Sequence, residues 1–148
     1  MTLTEEQKTA IIEEYNNWFN KQYGNNTLEE RQEFAQFYTP PELSIRMIEK
    51  FSDLEGEILD PTVGAGGLLA ACVLAGADPK LCYGIELDKD ILDNITIPRL
   101  TALGIPKNNL RHGDALNPDC LDFKTKGEYN YSDGKVTWGG KTKFRFGF

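Results

Sequence analysis

Apolar positions recur along the chain with two different periods, and the change between them divides it into a helical front, a strand-and-helix middle and a strand-only end. From residue 5 to 23, Ile11, Ile12, Tyr15, Trp18, Phe19 and Tyr23 return at helical spacing, which predicts a helix with one apolar face. Thr4 and Gln7 ahead of it form a capping-box pattern, and Gly24-Asn25-Asn26 ends it. Its aromatics are read as core. Thr27 and Glu30 repeat the box and open a short helix to about Phe34. A third helix follows, with Thr39 as N-cap, Pro40 in the first helical position and Glu42 three after the cap. It should run to about Phe51, with Leu43, Met47, Ile48 and Phe51 on one face.

From Glu57 the pattern changes. Glu57-Ile58-Leu59-Asp60-Pro61-Thr62 is a short strand ending in polar residues, and Val63-Gly64-Ala65-Gly66-Gly67 is a glycine turn. Leu68 to Ala75 is small and apolar throughout, as suits a helix packed on a sheet. Leu81 to Leu87 is a second strand. Asp90 to about Leu103 is helical, with Ile91, Leu92, Ile95 and Leu100 inward, and Pro98 should kink or split it. Leu110 to Leu116 holds a third strand around Arg111-His112-Gly113-Asp114. Repeated strand-then-helix steps predict a parallel sheet with right-handed crossovers.

The end of the chain loses its helices. Glu128 to Tyr131 and Val136 to Trp138 flank Ser132-Asp133-Gly134-Lys135 and predict a β-hairpin turning at Asp133-Gly134. Lys143-Phe144-Arg145-Phe146 alternates like a further strand. The expected organisation is a helical segment over 1–36, an α/β core over 37–123 and a strand tail over 124–148, forming one compact domain. In a doubly wound sheet the first strand is central and a fourth normally pairs beside it; without one, the first would be an open apolar edge. The C-terminal strands, or a second chain, are expected to cover it.

Charge and composition narrow the partners. The 148 residues carry a net charge of −7, whereas a protein that grips a phosphate backbone unaided presents a basic surface. The only local positive excess runs from Lys135 through Lys141, Lys143 and Arg145. DNA is therefore expected to bind weakly or through a partner, and a protein partner or homo-oligomer is expected instead. No apolar run approaches the roughly 20 residues of a membrane helix, and the first residues do not read as a signal peptide. Cys72, Cys82 and Cys120 are odd in number and form no C-x-x-C pair. They argue against a disulfide framework or a metal site and for the cytoplasm.

The chemistry concentrates at the ends of the strands. A strand, a glycine turn and a helix make a ligand cradle, because glycines admit a close ligand and the helix start offers free N–H groups. The turn here is not the dinucleotide fingerprint G-x-G-x-x-G, since Leu69 stands at its third position. Glu86 ends the second strand, where a carboxylate can accept from both hydroxyls of a ribose. Asp114 ends the third and could accept from an adenine amino group. His112 is the only histidine and is read as a sheet-edge residue without catalytic duty.

Four blocks, in order, resemble the N6-adenine DNA methyltransferases. Phe37-Tyr38-Thr39-Pro40-Pro41-Glu42 is similar to the family's F-Y-T-P block, Asp60-Pro61-Thr62-Val63-Gly64-Ala65-Gly66-Gly67 to its D-P-x-x-G-x-G loop, Gly84-Ile85-Glu86-Leu87-Asp88 to its G-x-E-x-D block, and Gly113-Asp114-Ala115-Leu116 to its G-D-A/S-L block. The resemblance covers about residues 34 to 123. It implies a Rossmann-like methyltransferase fold, with a truncated parallel sheet, N-terminal helices and a C-terminal hairpin. It also implies S-adenosylmethionine or S-adenosylhomocysteine as ligand. Tyr38, Thr39 and Pro40 would flank the methionine end, Asp60 would lie near its amino group, Glu86 would take the ribose and Asp114 the adenine amino group. Thr62, Gly64, Gly66, Leu87 and Ala115 belong to the same blocks and complete the expected contact set.

The family's catalytic block, N-P-P-Y/F or D-P-P-Y/F after a fourth strand, is not in this sequence. It would hold the target amino group by hydrogen bonds and stack an aromatic ring on the flipped base. Asn117-Pro118-Asp119-Cys120 lacks the second proline and the aromatic, follows Asp114 by three residues with no strand between, and is read as a turn. No catalytic residue is assigned. The expectation is a cofactor-binding, methyltransferase-like protein that does not transfer methyl groups on its own and acts through a partner, as in restriction–modification or anti-restriction. The alternative is one half of a split N6-adenine methyltransferase.

Overall fold

The computed structural model describes residues 1–117 and, beyond them, the strand pairing of 129–130, 137–138, 142–143 and 146–147. Helix α1, Glu5–Tyr23, starts where the capping box expects: Thr4 Oγ1 accepts from the Gln7 N–H at 3.1 Å, and Gln7 Oε1 accepts from the Thr4 N–H at 2.9 Å. Its aromatics are less buried than expected. Ile11 and Tyr23 are buried, while Tyr15, Trp18 and Phe19 are half-buried and stack along the helix. Helix α2, Leu28–Ala35, has half its box: Thr27 accepts from the Glu30 N–H, but the Glu30 carboxylate takes the Asn26 amide instead.

Helix α3, Pro41–Ile48, begins one residue later than expected, with Pro40 as its extended cap and no side-chain cap bond. The cause is the second proline. A residue before proline is driven out of the helical region, so Pro40 cannot be the first helical residue. The helix is also shorter, and its buried face is Pro41, Ser44, Ile45 and Ile48, leaving Leu43 exposed.

The sheet follows from three short strands, β1 Ile58–Asp60, β2 Cys82–Glu86 and β3 Leu110–His112, all parallel in the order β3-β2-β1. Helix α4, Gly67–Leu74, connects the first two. The second connection starts at α5, Lys89–Ile91, capped by Asp88, whose carboxylate accepts from the Asp90 and Ile91 N–H groups. It then widens into a π-turn over Leu92–Thr96 and continues as α6, Ile97–Thr101. The expected disturbance at Pro98 therefore appears as a wide turn just ahead of it. That geometry relieves the clash of a proline ring with the carbonyl four residues back. Leu92 and Leu100 face inward as expected, but Thr96 and Arg99 are buried with them.

The core lies where α1, α3 and α4 meet the sheet, with Ile48, Ile58, Leu69, Leu100 and Ile105 fully enclosed. Cys72 and Cys82 are buried free thiols, and burial holds both well above the ordinary thiol range. On the other side of β1 runs β7, Phe146–Gly147, parallel to it in the register Ile58↔Phe146 and Leu59↔Gly147. The first strand thus has the cover expected from the C-terminal segment. The expected hairpin pairing is present too. β4, Tyr129–Asn130, is antiparallel to β5, Thr137–Trp138, which pairs in turn with β6, Thr142–Lys143. The Asp133-Gly134 turn and residues 118–120 lie outside the described residues. Among the described residues, no helix is long and apolar enough to cross a membrane.

Candidate functional site

Parallel strands place their carboxyl ends along one rim, and β1, β2 and β3 end there on Asp60, Glu86 and His112. The chain leaves β1 in a tight turn in which the Thr62 N–H donates to Asp60 Oδ1 at 3.1 Å. Val63 then crosses over β2, donating its N–H to the Ile85 carbonyl at 2.9 Å. Gly84 permits this crossing, since a Cβ there would stand 2.9 Å from the Val63 side chain. The Gly64 N–H donates to Glu86 Oε2 at 2.8 Å, while Glu86 Oε1 accepts from the Asp88 N–H at 3.1 Å. The loop closes on Gly66, whose φ of +88° and contact with Leu100 exclude a side chain. Helix α4 starts there without a side-chain cap, leaving its first N–H groups without acceptors in their own helix.

Between this loop and the segment before α3 lies a cavity of about 100 Å³, lined by Phe37, Tyr38, Thr39, Asp60, Thr62, Val63, Gly64, Ala65, Gly67, Leu68 and Arg99. Of the residues singled out from the sequence, Tyr38, Thr39, Asp60, Thr62 and Gly64 meet here. Glu86 is tied to them through the Gly64 N–H. Pro40 and Gly66 frame the segment and the loop without lining the cavity. Leu87 is exposed beside Glu86. Asp114 is on the same rim, because the Gly113 N–H donates to the Glu86 carbonyl at 3.0 Å. Its exposed carboxylate, however, stays outside the cavity and accepts from the Leu116 N–H at 2.9 Å, as in a turn. Ala115 lies within that turn. His112 is exposed, with Nε2 3.0 Å from the Leu87 carbonyl.

The electrostatics single out Asp60. It is 2% exposed, and burial pushes its carboxyl from 3.8 up to about 6; the Thr62 N–H opposes this and the nearby Glu86 charge adds to it. Its second oxygen accepts no hydrogen bond among the described residues. Tyr38 is held above the ordinary phenol range by burial and by its hydrogen bond to the Tyr23 hydroxyl. The Tyr38 ring also meets Trp18 edge-on at 5.2 Å. No group of three or more His, Cys, Asp or Glu side chains among the described residues could hold a metal ion.

Sequence reasoning missed the support behind the loop. Arg99 is 6% exposed and donates to both Glu14 oxygens at 2.7 Å and to the Ala65 carbonyl at 3.2 Å, with its guanidinium 4.2 Å above the Trp18 ring. The Thr96 hydroxyl donates to the Gly64 carbonyl. A basic residue after Pro98 reads as a solvated charge, because its carboxylate partner stands 85 positions away.

A parallel α/β sheet with a glycine loop after its first strand and an acid ending its second is an open α/β arrangement, the class of fold in which ligand sites lie at the carboxyl ends of the strands. The particular family is given by comparison. The model of the N-6 DNA methylase family matches residues 7–127, and the chain belongs to that family, whose members use S-adenosylmethionine. A 98-residue stretch is 30% identical to the type II methyltransferase M.NspV of Nostoc sp., covering 64% of this chain and 20% of that protein. The chain thus spans about a fifth of the length of this curated relative. No solved structure matches it.

Proposed function

We propose that this chain binds S-adenosylmethionine, or S-adenosylhomocysteine, across the carboxyl rim. In this reading it serves as the cofactor-binding part of an N6-adenine DNA methylation system, and it does not transfer a methyl group on its own. The observation that carries the reading is the hydrogen bond joining the Gly64 N–H to Glu86, which unites the glycine loop and the β2 acid beside a cavity floored by Asp60. The residues suit the ligand. Asp60 is buried with an oxygen to spare and answers a cationic amino group. Glu86 keeps accepting capacity for ribose hydroxyls, since an ionised carboxylate has about four lone-pair sites. The cavity takes the amino-acid end, and the nucleoside lies along the open rim towards Leu87 and Asp114. When bound, the cofactor supplies the activated methyl group; this chain's residues hold and orient it.

Action through a partner is supported by charge. A chain at −7 repels a phosphate backbone, so DNA reaches the cofactor only in company with a more basic protein. A restriction–modification or anti-restriction complex is a setting of that kind. A second reading is favoured by the presence of four cofactor blocks without an N-P-P-Y/F block: the chain is the cofactor half of a methyltransferase, active once another chain supplies the catalytic block.

Calorimetry with S-adenosylmethionine and S-adenosylhomocysteine tests the binding, and heat from neither compound would defeat it. Methyl transfer to DNA, assayed alone and with candidate catalytic chains, separates the two readings. Activity of the isolated chain would overturn both.

A further inference from the structure

Resting on the reading that the glycine loop holds the cofactor, we propose that Thr96 and Arg99 are positioning residues. They grip the loop from behind and thereby present the Ala65 N–H to the ligand. The two are three positions apart on the helical stretch that the π-turn reorients, and both are buried, at 0% and 6% exposure. Thr96 donates to the Gly64 carbonyl and Arg99 to the Ala65 carbonyl. These carbonyls belong to successive peptide units.

In a planar trans peptide the C=O and the following N–H point in opposite directions. Drawing the Gly64 carbonyl towards Thr96 therefore turns the Ala65 N–H away from the helix. The neighbouring amides are all committed: Val63 to Ile85, Gly64 to Glu86, and Gly66 to Val63. The Ala65 N–H has no acceptor among the described residues, and Ala65 lines the cavity. The next peptide unit is fixed at both ends, by Arg99 on its carbonyl and by the Val63 carbonyl on its N–H. Arg99 is itself immobilised by Glu14 and Trp18 on α1. Packing alone does not call for a buried hydroxyl and a buried guanidinium here, since apolar side chains of similar volume fill such space at no electrostatic cost. An acceptor group at the amino-acid end of the ligand, such as a carboxylate, is what the free amide would take.

Thr96→Val removes the donor and keeps the shape, and Thr96→Ser keeps the donor. Hydrogen exchange in the ligand-free protein reads the grip directly. We expect the hydrogen-bonded loop amides of Val63, Gly64 and Gly66 to exchange about tenfold faster in Thr96→Val, as for one lost hydrogen bond, to stay at the wild-type rate in Thr96→Ser, and those of β2 to be unchanged in both. Calorimetry then reads its use. S-adenosylhomocysteine should bind Thr96→Val about tenfold more weakly, adenosine, which lacks the amino-acid end, should bind it as it binds the wild type, and Thr96→Ser should bind both as the wild type does. Unchanged loop exchange, or an equal loss for the two ligands, would overturn the proposal. A wild-type chain that binds neither compound would overturn the cofactor reading and the presentation of Ala65 with it, while the exchange result still judges the grip.

Discussion

Replacing Asp60 by asparagine should make the protein more stable at neutral pH and worse at binding its ligand. The carboxyl is 2% exposed and titrates at about 6 in place of 3.8. Because the folded value is the higher one, the protonated form is the one the fold tolerates. Stability associated with this group is fully present below about pH 4, declines as pH rises through about 6, and is gone above it. The difference corresponds to about 3 kcal/mol at pH 7. Asparagine keeps an oxygen for the Thr62 N–H and carries no charge. Urea denaturation should therefore show Asp60→Asn gaining up to about 3 kcal/mol at pH 7 and almost nothing at pH 4. The ligand reverses the preference, because a cationic amino group beside Asp60 favours the ionised carboxylate. Binding to the wild type should weaken about tenfold for each pH unit below 6 and release close to one proton there, measurable as a buffer-dependent calorimetric heat. The asparagine variant should lose both the pH dependence and much of the affinity. A variant no more stable than wild type at pH 7, or wild-type binding flat between about pH 5 and 7, would refute the assignment of a strained, ligand-facing carboxyl.

Other expectations follow from the same geometry. Glu86→Ala should weaken S-adenosylmethionine binding by up to about 3 kcal/mol, whereas exposed Asp114, whose carboxylate serves its own turn, should cost about 1 kcal/mol on replacement by alanine; equal losses in calorimetry would contradict the unequal placement. Gly66→Ala should destabilise the fold by at least about 2 kcal/mol in urea denaturation, combining left-handed backbone strain with a Cβ pressed against Leu100. Glu14→Ala strands the buried Arg99 guanidinium and should cost about 3–5 kcal/mol; a thermal midpoint near that of the wild type would show the pair to be dispensable.

What the sequence made legible was local. The start of α1 agrees because Thr4 and Gln7 satisfy each other within one turn. The strand ends agree because polar residues and glycines punctuate short apolar runs. The start of α3 departs from the sequence pattern because two prolines compete for one role, and the steric demand of Pro41 on Pro40 decides it. The packing of α3 followed Ser44 and Ile45 rather than Leu43, which no hydrophobic count would favour. At the rim, Asp60, Gly64 and Glu86 came together as the block order implied. The grip of Thr96 and Arg99 on that loop was invisible. It depends on the width of a turn for which Pro98 announces only a kink or split, and on an ion pair between α1 and α6 whose partners stand 85 positions apart.

The strand beside β1 has a consequence for the order in which the molecule assembles. A parallel neighbour cannot be delivered by a tight turn, and β7 reaches β1 from far along the sequence through two register pairs. On the ribosome, the middle of the sheet must wait with one flank bare until residues 146 and 147 have emerged. The pairing of β1 with β2 can form earlier, so the completed sheet should be the slow, late event of folding and its β7 flank the first to open.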